Sequence, residues 1–98
     1  HKTETIIDQA LFKQAQLFES KQQYLKAEKN YIQIITDYKE DILADDTFFA
    51  LAELYLNHLA QPEKAKEFYE EIIFNYQDSI YFIDARKKYR MLRGDAIN

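Results

Sequence analysis

The sequence predicts an all-α fold, a right-handed α-solenoid of antiparallel helix pairs with about five helices, and three observations predict it. First, the chain nearly repeats itself: residues 26–38 read KAEKNYIQIITDY and residues 64–76 read KAKEFYEEIIFNY. Lys26, Ala27, Tyr31, Ile34, Ile35 and Tyr38 recur as Lys64, Ala65, Tyr69, Ile72, Ile73 and Tyr76 at a shift of 38 residues, and Ala15, Leu17 and Phe18 recur as Ala52, Leu54 and Tyr55 at a shift of 37. A period of about 40 residues built from two helical segments is the mark of a stacked helical repeat. Second, apolar residues fall at steps of three and four nearly throughout, the spacing of one face of a helix. Third, one Gly and one Pro in 98 residues leave little material for hairpins, bulges or phosphate loops and favour long helices with short links.

The first helix is expected over about 5–20, where Ile6, Ile7, Ala10, Leu11, Gln14, Leu17 and Phe18 trace one stripe. After a polar break at Ser20–Gln23, the second runs over about 23–37 with Tyr24, Ala27, Tyr31, Ile34, Ile35 and Tyr38 on one face. Lys39-Glu40-Asp41 breaks the chain, and Asp41 has the carboxylate of an N-cap for a third helix over about 42–57 that buries Leu43, Thr47, Phe48, Leu51, Leu54 and Tyr55. Asp45 and Asp46 lie in its first turn, where the macrodipole favours acids. Pro62 opens the fourth helix, over about 62–76, where its missing amide costs nothing. Ser79 stands 38 residues after Asp41 and is expected to cap the fifth helix, about 79–93, which carries Ile80, Ile83, Ala85, Tyr89 and Leu92 before Gly94 ends it. The organisation is thus a repeat over 5–38, a repeat over 42–76, a closing helix over 79–94 and a loose tail over 95–98. Links this short force neighbouring helices antiparallel. Ala15, Ala27, Ala52 and Ala65 fall where paired helices approach most closely.

Composition narrows the function classes. A chain with 47% hydrophobic and 31% charged residues has a globular balance, and at 98 residues it buries roughly 60–65% of its unfolded surface. With no Cys, disulfide and thiolate–metal chemistry are excluded. A net charge of −4 argues against a dedicated nucleic-acid binder. No run approaches the ~18 apolar residues of a membrane span, and no signal peptide is visible. The abrupt start His1-Lys2-Thr3, without Met, gives the expectation of a fragment from the C-terminal part of a longer repeat protein. His1 and His58 are too few for a metal site, and no metal or other cofactor is expected; His58 reads as an exposed turn residue. Ser20 and Ser79 have no His nearby, and the dipole accounts for Asp45 and Asp46 without acid–base chemistry, so no enzyme is expected.

These residues resemble the tetratricopeptide repeat. That family pairs two antiparallel helices, with a small residue mid-way along the first and an Ala early in the second, followed four residues later by an aromatic; here these are Ala15, Ala27 and Tyr31, then Ala52, Ala65 and Tyr69. The likeness spans about residues 8–93. It departs where the family often closes a repeat with Pro, since Lys39 and Gln77 stand there, and in a period longer than the usual length of about 34 residues. The longer period and the links Tyr38–Ile42 and Tyr76–Ile80 are similar to the bacterial envelope-associated branch, which includes outer-membrane assembly lipoproteins and periplasmic coordinators; that likeness implies the periplasm or cell envelope.

The resemblance implies a protein–protein interaction scaffold that binds a partner protein or peptide on the concave groove lined by the first helix of each pair. By position this groove takes in Gln9, Phe12, Gln16 and Glu19, then Asp46, Phe49, Glu53 and Asn57. Phe12 and Phe49 either anchor an apolar side chain or turn into the helix–helix seam as core. Ile6, Ile7 and Leu11 are candidates for contact with upstream repeats or for self-association. Two alternatives stand beside the groove: a purely structural terminal cap of a longer solenoid, and an anion or acidic-partner contact through Arg86, Lys87, Arg90 and Arg93, which a solvated capping face also explains.

Overall fold

In a computed structural model describing residues 2–37 and 43–94, with side chains from Ile6 onward, the chain forms helices α1 (Lys2–Ser20), α2 (Tyr24–Asp37), α3 (Ala44–Asn57), α4 (Pro62–Asn75) and α5 (Phe82–Arg93). Each helix packs chiefly on its neighbours in sequence: α1 on α2, α2 on α3, α3 on α4 and α4 on α5. This is the helical solenoid that the period predicts, a quasi-one-dimensional stack in which every interface is local.

The small residues do what their spacing implies. Ala15, Ala27, Ala52, Ala65 and Ala85 are all 0% exposed, so the helix axes approach closely at each seam. Around them Tyr31, Ile34, Phe48, Leu51, Leu54, Tyr55, Tyr69 and Ile72 fill the core. Asn30 is also buried; its amide donates to the Leu11 carbonyl at 3.2 Å and to Gln14 Oε1 at 2.8 Å, fastening α2 to α1.

A second device recurs that the apolar pattern does not announce. At every helix–helix junction a tyrosine of the later helix donates its hydroxyl proton to a glutamate of the earlier one. Tyr31 reaches Glu19 at 2.5 Å across α1/α2, and Tyr55 reaches Glu28 at 2.5 Å across α2/α3. Tyr69 reaches Glu53 across α3/α4, and Tyr89 reaches Glu70 at 2.9 Å across α4/α5. Each ring lies in or against the core while its hydroxyl reaches a charged acceptor at the rim, which suits the amphipathic phenol.

The turns follow helix-end chemistry. After α1, the Gln23 amide donates to the Phe18 carbonyl at 2.8 Å with Gln22 at φ 62°. After α3, the Leu59 amide donates to the Leu54 carbonyl at 3.1 Å with Ala60 at φ 52°, and Pro62 then starts α4 in its first turn. Gly94, at φ 87°, closes α5 with its amide on the Arg90 and Met91 carbonyls, as the sequence predicts.

Several expectations need correction. Helix α5 begins at Phe82, not near 79, and Tyr81 stands at its N-cap. Ser79 does not cap it: its Oγ accepts the Tyr81 amide at 3.0 Å and its carbonyl accepts the Phe82 amide at 3.1 Å, forming a turn ahead of the helix. Helix α3 begins at Ala44; Asp45 and Asp46 occupy its first turn, while the Asp41 cap, Tyr38 and the 95–98 tail lie outside the described residues. Ile80 and Ile83, expected on the stripe of the fifth helix, are 85% and 75% exposed, whereas the 65% exposure of Ile6 agrees with its place among the candidates for an uncovered contact. The reasons are positional: α5 packs chiefly on α4, which leaves its opposite face, with Ile83, in water, and Ile80 falls in the turn ahead of the helix rather than on it.

Candidate functional site

The first-of-pair helices α1, α3 and α5 alternate with α2 and α4 along the stack, and the aromatic pair singled out in the sequence sits on α1 and α3. Phe12 meets Tyr31 edge-on at 5.5 Å and 64°; Phe49 meets Tyr69 edge-on at 5.9 Å and 65°. One contact is therefore built twice, one repeat apart. Both phenylalanines are half-buried and pack against the core, so each has a foot in the seam and a face left over.

The two faces differ. Phe49 is stacked by Tyr81 at 4.5 Å and 16°. The Tyr81 phenol is pushed up to about 12 by burial and then by the Asp46 carboxylate that accepts its hydrogen bond. Asp46 thus pins the entry to α5. Seven residues further along α3, Glu53 accepts from both Tyr69 and Lys88, the latter at 2.9 and 3.1 Å to its two oxygens. That one carboxylate joins α3, α4 and α5. Burial, and then the glutamate each hydroxyl faces, raises the phenols of Tyr31, Tyr55 and Tyr69 above the ordinary tyrosine range.

Between α3 and α5 these side chains border a cleft of about 400 Å³ lined by Phe49, Glu53, Asp84, Lys87, Lys88 and Met91. Phe49 and Met91 give it an apolar surface; two acids and two lysines supply polar groups that fix orientation. Of the groove residues expected from sequence, Phe49 and Glu53 line this cleft, and Asp46 acts beside it through Tyr81. Asn57 is exposed at the end of α3. Gln9 and Gln16 are exposed on α1, Phe12 is half-buried there, and Glu19 accepts the hydrogen bond of the Tyr31 hydroxyl; none of the four lines the cleft.

Sequence reasoning missed Asp84, Lys87 and Met91 as groove residues, although the signal was present. Adding the 38-residue period to Asp46, Phe49 and Glu53 gives Asp84, Lys87 and Met91. Lys88 has no such signal, because it answers to Ala50. His58 is exposed, as its turn position implies, yet its ring also stacks on Tyr24 of α2 at 4.1 Å and 9°.

The cations of α5 divide. Lys88 turns inward to Glu53, and Arg93 lies over the Tyr89 ring at 5.2 Å. Arg86, Lys87 and Arg90 surround a second, outward slot of about 260 Å³ with Ile83. Among the described residues no group of His, Cys, Asp and Glu could hold a metal ion, and no helix is long and apolar enough to cross a membrane.

No curated protein and no solved structure matches the chain. The family model for the tetratricopeptide repeat matches it twice, over residues 9–41 and 46–79. Each match covers one helix pair joined by the Tyr–Glu contacts and close-packed alanines described above. Together they span more than half of the 98 residues, and the chain belongs to the tetratricopeptide repeat family.

Proposed function

We propose that this chain is a non-catalytic scaffold that holds a partner polypeptide along the face built by α1, α3 and α5. Repeats of this family are commonly protein–protein interaction modules. The observation that carries the reading is the cleft between α3 and α5. Its apolar surface of Phe49 and Met91 suits one inserted side chain, and Glu53, Asp84, Lys87 and Lys88 suit the polar groups of an extended or helical segment crossing it. Phe12 and Gln16 extend the same face one repeat back, with Gln9 and Glu19 at its ends. Occupancy needs no refolding, since Tyr69, Glu53 and Lys88 already tie the three bordering helices together.

The envelope-associated branch is part of this reading, supported by the long period and the Tyr76–Ile80 link. The test is capture from bacterial envelope and cytosolic extracts by wild type and by the Met91→Asp/Asp84→Arg variant, with melting temperatures measured in parallel. The reading expects a protein enriched from the envelope extract by wild type and lost by an equally stable variant. Equal capture by both proteins contradicts the groove; enrichment from the cytosolic extract contradicts the branch.

A further inference from the structure

The 38-residue period makes a comparison between α3 and α5 that the groove does not use. Helix α3 receives α4 through Phe48, Ala52 and Tyr55. Phe48 meets Phe68 at 5.9 Å and Tyr76 at 5.7 Å, Tyr55 stacks on Phe68 at 5.6 Å, and Ala52 is 0% exposed. The residues one period later are Arg86, Arg90 and Arg93. The face of α5 that answers to the helix-receiving face of α3 is thus shaped by the same fold and carries guanidinium groups where α3 carries apolar rings and a methyl group. It is not uniformly polar. Ile83, 75% exposed, lines the slot with Arg86, Lys87 and Arg90, and Ile80 stands nearby in sequence at 85% exposed.

We propose that this outward face of α5 docks an acidic amphipathic helix of a partner protein. Its carboxylates meet Arg86, Lys87 and Arg90, and one apolar side chain rests on Ile83. The fold supplies the shape, because the corresponding face of α3 accepts a helix. The side chains supply the selectivity, because planar guanidinium groups match carboxylates, and a helix bearing apolar residues at every contact position would strip water from the Arg86 guanidinium and offer it no acceptor. Charge distribution points the same way. Residues 1–85 carry sixteen acids against eight cations, whereas residues 86–98 carry five cations against one acid. An acidic helix is therefore repelled by most of the molecule and steered to this end. Nucleic acid fits less well, because a phosphate backbone gains nothing from Ile80 and Ile83 and meets the acidic body on either side.

The test uses a fluorescently labelled synthetic helix that presents Glu and Leu along one face, followed by anisotropy, with a control peptide in which every Glu is Gln. Binding of the Glu peptide alone, weakened by about tenfold by Arg86→Glu and by Ile83→Ser, weakened further by salt, and unchanged by the groove variant Met91→Asp, supports the proposal. Absence of binding overturns it, as does equal binding of the Gln control. Loss of binding in Met91→Asp alone overturns it too, by moving the peptide to the groove. Anionic vesicles or duplex DNA that bind more tightly than the peptide, in an Arg86-dependent manner, replace the helix with another occupant. So does concentration-dependent self-association abolished by Arg86→Glu, since Glu63, Glu67 and Glu71 of α4 with the exposed Phe74 offer an acidic stripe on a second copy.

Discussion

Tyr69 is fully buried and its hydroxyl donates to Glu53, which also holds Lys88. Removing the hydroxyl alone keeps the ring in the core and leaves a charged acceptor short of one donor. Tyr69→Phe is expected to lower stability by about 1–2 kcal/mol, read by chemical denaturation. Ala60 presents the opposite case. Its φ of 52° places a Cβ in the left-handed region after α3, where a side chain costs about 1 kcal/mol. Ala60→Gly is expected to cost nothing or to raise the melting temperature, although Gly lowers stability in most other settings. Neither residue declares itself in the sequence. Tyr69 is legible as an aromatic of the repeat, but its acceptor lies 16 residues away, and nothing in the spacing selects Glu53 over its neighbouring acids.

Helix existence is legible because it follows from apolar period and from breakers. Pro62 and Gly94 mark the start of α4 and the end of α5 where expected. Helix α5 is the misjudged start. Ser79 has the chemistry of a cap, yet its hydroxyl serves the nearer amide of Tyr81 in a local turn. The gain is that Tyr81 can stack on Phe49 at 4.5 Å, a tertiary contact that local propensity does not contain. Seams between elements rest on their alanines. Ala65 is 0% exposed on α4, and Ala65→Leu would have to force α3 and α4 apart. A loss of about 1–3 kcal/mol or more is expected, with helical circular dichroism retained below the lowered transition. An unchanged transition would mean that the helices do not approach closely there.

At the scale of the whole molecule, one interaction type spans all four seams, and at Tyr31, Tyr55 and Tyr69 its titration should be visible. Burial, followed by the facing carboxylates, holds the phenols of Tyr31, Tyr55 and Tyr69 above their ordinary range, and Tyr81 up to about 12. In the unfolded chain tyrosine ionises near pH 10. Above that pH the unfolded state gives up protons that the folded state keeps. The contribution to stability is therefore full below about pH 10 and is lost as pH rises through the folded values. Alkaline titration should show cooperative unfolding, with tyrosinate absorbance and loss of helix rising together; gradual tyrosinate formation with the helix intact would contradict it. The stack was legible as a whole because its repeats share a period. The cleft was only partly legible, because Lys88 reaches Glu53 from 35 residues away.

The central claim is that the α1/α3/α5 face, rather than the opposite one, holds a partner polypeptide. The most direct measurement places a photo-crosslinking residue at Met91, which lines the cleft, and in a second protein at Lys29, exposed on α2. Both are irradiated in the same cell extract. The account predicts a discrete crosslinked polypeptide from position 91 and none from position 29. Crosslinking from position 29 alone, or equally from both, would contradict it.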